Sequence, residues 1–493
     1  MRSIRYVLAA LAVLASAAPA GAQSDPKAAV AALDTVVRKY SNYKSVLDPF
    51  VEKVYSKFRK SAEVATGIAR SYYSFSRPAG QPYYTFVTRD SANAYKYIAL
   101  AIEAKPDYVP AYIFGGDIQV TMADREAAAD WYRRAIEAGP ANPAGYLAFA
   151  DLVIDDDSAA AVSTLEGIRS HLPDFPVELA LARIYEKRND LRNAVACFDR
   201  AERDSMNAED LVSYAMFHYL LGNFPRSLDV ALYGHGRFAG NPALNRLAFW
   251  NHTDLKNYDE ALAFADLLFN KSENPEIQPK DYLYYGYAYL GKKRYAEAVG
   301  MFGRLAASAD AEERDKNTAM QEIARAYQSM GDYGKAADAC RAYIAKREKD
   351  SLLSAYDLNM LAQIYIEQGD SLPEGQQAAA WQRADSVLSV MTDRFPANAD
   401  YALYWRLVLA AKQDPESTEG LGLPHAQRLA AVIQAMPERS DIANARLVFA
   451  YRYLGYYYSF VLNRRAQGRV YWEKILEIEP ENNAARTVLG LKG

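Results

Sequence analysis

The sequence has little cysteine and no excess of charge of one sign. Two cysteines among 493 residues cannot build a disulfide framework or a typical four-ligand zinc site. Lys and Arg total 57 against 61 for Asp and Glu, which gives a net charge of −4 at pH 7. A chain without a basic excess has no electrostatic means of holding phosphates, so we expect no nucleic acid partner.

The common motifs of catalysis and cofactor binding are also missing. The sequence contains no glycine-rich phosphate loop, no HExxH helix, no CxxC pair and no GxSxG elbow. His218, His235 and His252 are evenly spaced by 17 residues, which invites a metal-site hypothesis. Packing is the simpler interpretation, because the first and last fill a position that tyrosine occupies elsewhere. We therefore expect no catalytic site, cofactor or metal, whereas a deep cleft lined by titratable groups would indicate an enzyme.

Residues 1–22 have the composition of a signal peptide. Two arginines precede an apolar run from Tyr6 to Ala18, and the pattern Ala20-x-Ala22 predicts cleavage after Ala22. The run is too short to span a membrane, which takes about 20 residues, and no later stretch approaches that length. The residue after the predicted cut is Gln23 rather than a lipid-carrying cysteine. We expect a periplasmic or secreted bacterial protein with no transmembrane segment and no lipid anchor.

Aromatic and small residues recur with a regular period from about residue 91. One position, the last anchor of each predicted first helix, recurs at spacings of 32 to 38 residues as Gln119, Val153, Tyr185, His218, His252, Tyr289, Tyr327 and Tyr365. Three clear copies of the surrounding pattern are Tyr112, Gly115, Gly116, Ala128, Tyr132, Ala135 and Pro140; then Tyr282, Tyr285, Gly286, Tyr289, Tyr295, Ala298, Phe302 and Leu305; then Met320, Ile323, Ala324, Tyr327, Gly331, Ala336, Cys340 and Tyr343. Anchors three and four residues apart lie on one helical face, so each copy predicts two helices with an apolar stripe to bury.

This pattern resembles the tetratricopeptide repeat, a helix-turn-helix unit of 34 residues. The resemblance implies an all-α, right-handed α-solenoid of about 11 stacked helix pairs. It covers residues 91–482, between a divergent N-terminal helical cap at residues 23–90 and a C-terminal half-repeat cap at residues 483–493. Loop insertions are expected near residues 371–377 and 412–424, where turn-forming residues interrupt the pattern.

The two cysteines occupy the aromatic position of a second helix in two different repeats. Cys197 and Cys340 lie four repeats apart, whereas a disulfide needs Cα atoms within about 7 Å. We therefore predict two buried, unreactive thiols.

Tetratricopeptide arrays generally bind extended peptides or partner helices on the concave surface formed by the first helices, and the resemblance implies the same here. Three successive first helices place Met216, Trp250 and Tyr287 at equivalent points outside the packing stripe. Polar residues flank this row, among them Asp151 and Arg183 on its N-terminal side. The predicted contact residues are Met216, Tyr219, Trp250, Tyr287, Arg325 and Gln363. The alternative is that curvature of the solenoid buries the row against neighbouring first helices.

The sequence thus predicts a non-catalytic protein-interaction scaffold of the bacterial cell envelope, with a peptide or protein partner in the concave groove. A second interpretation is a carbohydrate-binding protein of the outer-membrane or periplasmic nutrient-uptake type. It follows from the 38 tyrosines, because flat aromatic rings also stack on sugars.

Overall fold

A computed structural model describes residues 25–40, 44–78 and 83–491. The predicted signal peptide, residues 1–22, and its cleavage site lie outside these ranges. The chain divides into two compact units, the first ending at Phe217 and the second beginning at His218.

Almost all regular structure in the described residues is helical. The helices up to the division are α1 (Pro26–Tyr40), α2 (Lys44–Lys57), α3 (Ala62–Tyr72), α4 (Ser91–Ala104), α5 (Val109–Thr121), α6 (Arg125–Ala138), α7 (Pro143–Val153), α8 (Ser158–Gly167), α9 (Val177–Lys187), α10 (Leu191–Phe198) and α11 (Ala208–Leu220), which contains the division. The remaining helices are α12 (Phe224–Arg237), α13 (Pro242–Asp254), α14 (Tyr258–Asn270), α15 (Pro279–Gly291), α16 (Tyr295–Ala307), α17 (Glu313–Ser329), α18 (Tyr333–Lys349), α19 (Ala355–Ser371), α20 (Ala378–Arg394), α21 (Ala399–Gln413), α22 (Leu423–Gln434), α23 (Asp441–Tyr456), α24 (Arg465–Ile478) and α25 (Asn483–Leu489).

The helices pack as consecutive pairs, and within each unit every pair also packs against the next. The pairs are α3 with α4, α5 with α6, α7 with α8 and α9 with α10 in the first unit, and α13 with α14 through α23 with α24 in the second. This arrangement confirms the predicted all-α architecture of stacked helix pairs. A pair cannot bury its apolar stripe alone, so stacking completes the core of each unit.

The turn inside a pair has a recurring capping residue. Second helices α4, α6, α8 and α10 follow Asp90, Asp124, Asp157 and Asp190, and each carboxylate accepts a hydrogen bond from a backbone N–H in the first helical turn. This bond satisfies a donor that has no partner within the helix. The residue before the capping residue has a left-handed backbone conformation. This holds for Ala123 (φ 61°) and Asn189 (φ 57°) as well as for Gly222 (φ 76°) and Gly331 (φ 75°). The turn between the two helices of a pair therefore forms with a non-glycine residue in the first unit, as it does with Gly-Asn and Gly-Asp sequences in the second unit.

Close approach of the two helices depends on a small residue that faces a large ring. A Cβ atom on Gly286 of α15 would lie 2.4 Å from the Phe302 ring of α16. In the first unit, a Cβ on Gly116 of α5 would lie 2.3 Å from the Tyr132 ring of α6. Both pairs of residues occupy positions that the repeat pattern assigns to the helix interface. The ring fills the space that the missing side chain leaves.

The segment at 61–90 differs from the expected helical cap because it contains a β-hairpin between α3 and α4. Strands β1 (Tyr73–Ser76) and β2 (Thr85–Arg89) are antiparallel, and Phe75 lies opposite Phe86 with 6.4 Å between the ring centroids. β2 alternates exposed and half-buried residues, so its aromatic side packs on the core while Val87 faces solvent. Aromatic and β-branched residues with this alternation favour a strand. The sequence analysis assigned this segment to a divergent helical cap and did not identify the alternation of period two.

The longer of the two expected insertions is folded around one buried carboxylate. Residues 414–422 connect α21 and α22, and Asp414 accepts backbone N–H bonds from Glu419 (3.1 Å) and Gly420 (2.8 Å). The shorter insertion lies between the end of α19 at Ser371 and the start of α20 at Ala378. Over the described ranges, no helix combines the length with the apolar content that crossing a lipid bilayer requires.

Replacing Gly286 by Ala should destabilise the protein, whereas the same change at Gly300 should stabilise it slightly. Overpacking against the Phe302 ring costs about 1–3 kcal/mol. Gly300 is exposed on α16 with no heavy atom within 4 Å of a Cβ, and alanine there gains about 0.5–1 kcal/mol in helix propensity. Urea unfolding followed by circular dichroism measures both free energies. Equal effects at the two glycines would contradict the close packing of α15 on α16.

Candidate functional site

The predicted contact row does not form one exposed surface. Met216 lies on α11 in the first unit and is half-buried. Trp250 on α13 is only 4% exposed, and Tyr219 is 8% exposed. Tyr287 on α15 is half-buried, with its ring edge-on to Phe302 at 5.7 Å. Trp250 and Tyr219 are thus covered by neighbouring helices, as the alternative interpretation expected. The binding role of the row stays a prediction.

Trp250 is buried because α13 is covered on every side. All residues from Leu244 to Thr253 are buried, which is the mark of a helix inside a core rather than at a surface. The Tyr284 ring of α15 stacks on the indole at 5.3 Å and 29°, and the Tyr219 ring lies 5.7 Å away at 47°. Side chains of other first helices thus close the face on which Trp250 lies.

These rings surround a cation. Lys280, in the first turn of α15, places its ammonium 4.6 Å from the Trp250 ring centroid, 5.4 Å from that of Tyr219 and 5.5 Å from that of Tyr284. We name Tyr219, Trp250 and Tyr284 the aromatic cage. Each distance lies within the range of about 6 Å in which a ring face attracts a cation.

The tyrosines of the cage are anchored by one carboxylate. Asp254 accepts a hydrogen bond from the Tyr219 hydroxyl at 3.0 Å and from the Tyr284 hydroxyl at 3.2 Å, and the two hydroxyl oxygens are 2.5 Å apart. Burial raises the pKa of Asp254 above its ordinary value, although the hydrogen bonds from the two tyrosines lower it. Burial also raises the pKa of Tyr219, and it raises that of Tyr284 to about 12. Both phenols therefore stay protonated at neutral pH and keep donating hydrogen bonds.

The tryptophan of the cage is anchored by a buried ion pair. Its indole Nε1–H donates to Asp281 Oδ1 at 3.1 Å, and Arg246 binds the same carboxylate through Nε (2.9 Å) and Nη2 (3.0 Å). Asp281 also accepts the backbone N–H of Gln278 at 2.8 Å, which caps α15. One carboxylate thus joins α13 to the start of α15 and fixes the Trp250 ring.

The polar members of the predicted row make local contacts. Arg325 pairs with Glu322 at 2.8 Å on its own helix and donates to the Tyr356 hydroxyl. Gln363 donates to the Tyr401 hydroxyl at 3.4 Å. These residues stay at or near the surface, and the structure does not bring them to the aromatic cage.

The first unit contains a groove that the sequence analysis did not identify. It lies between α7 and α9, the first helices of successive pairs, and has a cavity volume of about 340 Å³. Its lining residues are Leu147, Ala148, Asp151, Phe175, Pro176, Ala180, Arg183, Ile184 and Lys187. Asp151 and Arg183 belong to the polar flank of the predicted row. A signal for the groove exists in the sequence, because Ala148 and Ala180 are small residues spaced by 32, like the repeat position at Val153 and Tyr185.

The rim of the groove carries fixed charges. Arg183 binds the buried carboxylate of Asp210 through Nε and Nη2, each at 2.8 Å. Asp151 pairs with Arg188 at 2.7 Å, and Lys187 is exposed at the edge. An apolar floor with a charged rim is the usual anatomy of a protein-binding surface.

The three evenly spaced histidines and the two cysteines are packing residues. The ring of His252 stacks on Phe264 at 5.5 Å, the ring of His235 meets the same phenylalanine edge-on at 5.2 Å, and His218 is buried. Cys197 and Cys340 are free and buried, as predicted. Within the described ranges, no three His, Cys, Asp or Glu side chains are grouped as a metal site would need.

Comparison with known proteins finds similarity among solved structures only. No protein-family model matches the sequence, and no curated protein matches it. The C-terminal part of a TPR repeat-containing protein from Cytophaga hutchinsonii is similar at 20% identity and a TM-score of 0.45, over 56% of this chain and 99% of that one. A tetratricopeptide repeat protein from Parabacteroides merdae is similar at 17% identity and a TM-score of 0.31, over 58% of this chain and 96% of that one.

Removing the carboxylate of Asp281 should be far more costly than removing that of Asp259. Asp281→Ala leaves Arg246 buried without its partner, which costs about 3–5 kcal/mol. Asp259→Ala breaks the exposed pair with Lys292, whose length of 2.8 Å is similar, and costs at most about 1 kcal/mol. Thermal and urea unfolding of the two variants compares them directly. Similar losses of unfolding free energy in the two variants would show that burial does not make the Arg246–Asp281 pair more important for stability than an exposed pair.

Cys340 should react with thiol reagents only after unfolding. Burial raises its pKa to about 12, so at pH 8 its thiolate fraction is on the order of a thousandfold lower than that of an unfolded cysteine with a pKa near 8.5. Disulfide exchange with Ellman's reagent, followed in the Cys197→Ser variant, measures the rate for Cys340 alone with and without denaturant. Fast reaction in the folded protein would contradict the buried position.

Proposed function

We propose that this protein is a non-catalytic scaffold that binds an extended peptide segment of a protein partner. The observation that carries the proposal is the open groove between α7 and α9. Both helices are first helices of their pairs, and the groove is lined by Asp151 and Arg183, two of the polar residues that the sequence analysis assigned to the flank of the predicted row.

The groove favours an apolar side chain followed by an acidic one. Leu147, Ala148 and Ile184 supply apolar surface at the floor, and burial of an apolar side chain against such a surface drives association. Arg183 is held by Asp210 and keeps half of its side chain exposed, and Lys187 extends the positive edge. Such rim charges mainly steer and select the partner, while the apolar contact supplies affinity.

The proposed place of action is the bacterial cell envelope, in the periplasm or after secretion. The support is the basic n-region, apolar core and Ala-x-Ala pattern of residues 1–22. The partner would then be another envelope protein, and neither a lipid anchor, a nucleic acid nor a cofactor has a part in the proposal.

The carbohydrate alternative is not supported by the aromatic residues of the row. A ring that stacks on a sugar needs an open face, but Trp250 and Tyr219 are buried against Tyr284 and Lys280. The groove between α7 and α9 offers one aromatic ring, that of Phe175.

Filling the groove should weaken partner capture. A photo-crosslinking residue at Leu147, which lines the groove, should trap a discrete partner in cells, and Ala148→Trp in the same chain should reduce the product about tenfold, equivalent to about 1.4 kcal/mol. The matched controls use Ala159, an exposed alanine at the start of α8, for the crosslinker and for Ala159→Trp. Equal products from both crosslinker sites, or a Leu147 product that Ala148→Trp leaves unchanged in a folded protein, would refute the groove as the binding site.

A further inference from the structure

The ammonium of Lys280 occupies the aromatic cage without the usual partners of a lysine. Its Nζ lies within 5.5 Å of three ring centroids. Among the described residues, the Lys280 ammonium has no hydrogen bond and no ion pair at contact distance. A primary ammonium has three N–H donors that water or an oxygen normally satisfies. The cage therefore offers ring faces to a cation, while none of the described residues accepts a hydrogen bond from its N–H groups.

The oxygens near the cage are already engaged. Asp254 accepts the hydroxyl hydrogens of Tyr219 and Tyr284, and Asp281 binds Arg246 and the indole N–H of Trp250. A cation that carries methyl groups instead of N–H donors has no need of these oxygens. Ring faces attract such a cation through their negative quadrupole, most strongly at tryptophan.

The walls of the cage do not depend on Lys280. Each ring is held by its own polar anchor, the two phenols by Asp254 and the indole by Asp281. The main chain of Lys280 is fixed separately by the capping box between Gln278 and Asp281 at the start of α15. The occupant is thus the one flexible part, a half-buried side chain with a four-carbon stem.

We propose that the aromatic cage is a binding site for a trimethylammonium group, which Lys280 occupies in the free protein. The occupant is a quaternary ammonium, carried either by a small molecule or by a trimethylated lysine of a protein. Binding displaces the Lys280 side chain into solvent and leaves the three rings in place. The proposal is independent of the groove between α7 and α9, which belongs to the other unit.

Lys280 acts in this scheme as a tethered competitor. A side chain linked to its site has an effective concentration of the order of millimolar or more, so an external cation binds the wild-type protein weakly. Removing the tethered ammonium should strengthen binding by about tenfold or more.

Choline chloride is the probe, titrated at constant ionic strength into the wild-type protein, Lys280→Ala and Lys271→Ala. Lys271 is the matched control because it is an exposed lysine paired with Asp266, outside the cage. Lys280→Ala should bind choline at least about tenfold more tightly than the other two proteins, measured by calorimetry. The neutral isostere 3,3-dimethyl-1-butanol should bind Lys280→Ala at least about tenfold more weakly than choline, because a cage of ring faces selects charge.

Either of two results overturns the proposal. One is equal choline affinity in Lys280→Ala and Lys271→Ala, and the other is equal affinity of Lys280→Ala for choline and the neutral isostere. Adding Tyr284→Leu to Lys280→Ala should remove binding, and retained binding in that folded double variant also contradicts the proposal. A peptide with one trimethylated lysine, titrated in parallel, distinguishes the two sources: the tighter ligand identifies whether the natural cation belongs to a small molecule or to a protein.

Discussion

Close approach of two helices, made possible by a small residue under a large ring, is the contact on which the rest of the structure depends. Gly286 under Phe302 and Gly116 under Tyr132 bring the helices of a pair together and so define the faces that remain for the neighbouring pairs. The other face of each first helix is then either exposed to solvent or covered by side chains of the next first helix. The size of those side chains determines whether a given stretch of the array is open or closed.

A second recurring device joins first helices to one another. Asp210 caps α11 through Asn207 and binds Arg183 of α9, and Asp281 caps α15 through Gln278 and binds Arg246 of α13. In both cases one buried carboxylate satisfies a helix start and the guanidinium of an earlier first helix. The buried Arg246–Asp281 pair adds little net stability over an apolar contact, but a shifted register would leave both of its charges unpaired. The same shift would leave the buried carboxylate of Asp210 without Arg183. We infer that these carboxylates specify the register of successive pairs more than they raise stability.

Periodicity was sufficient to predict the helix pairs and the interface residues, because those contacts lie within one repeat. It was also sufficient to predict that Cys197 and Cys340, which lie on second helices, are buried. It failed at the hairpin of residues 73–89, where strands interrupt the first pair and a search for helical spacing has nothing to detect. It could not decide the exposure of Trp250, since burial there depends on Tyr284 and Lys280 of another helix and on how tightly consecutive first helices approach. Whether a repeat position is exposed depends on the side chains of the neighbouring repeats. The residue pattern within one repeat carries no information about those side chains.

The groove and the aromatic cage are built at the same two positions of the repeat, which different residues occupy in the two units. Counting by the repeat spacings, Asp151, Arg183 and Trp250 occupy one position, while Ala148, Ala180 and Tyr284 occupy another, three residues earlier. Where the second position is alanine, the space between first helices stays open as the groove of about 340 Å³. Where it is Tyr284, the ring stacks on Trp250, and the Lys280 ammonium lies 5.5 Å from the Tyr284 ring centroid. One architecture thus accommodates a peptide-sized groove in one unit and a cation-sized site in the other, and the difference is the volume of one side chain per repeat.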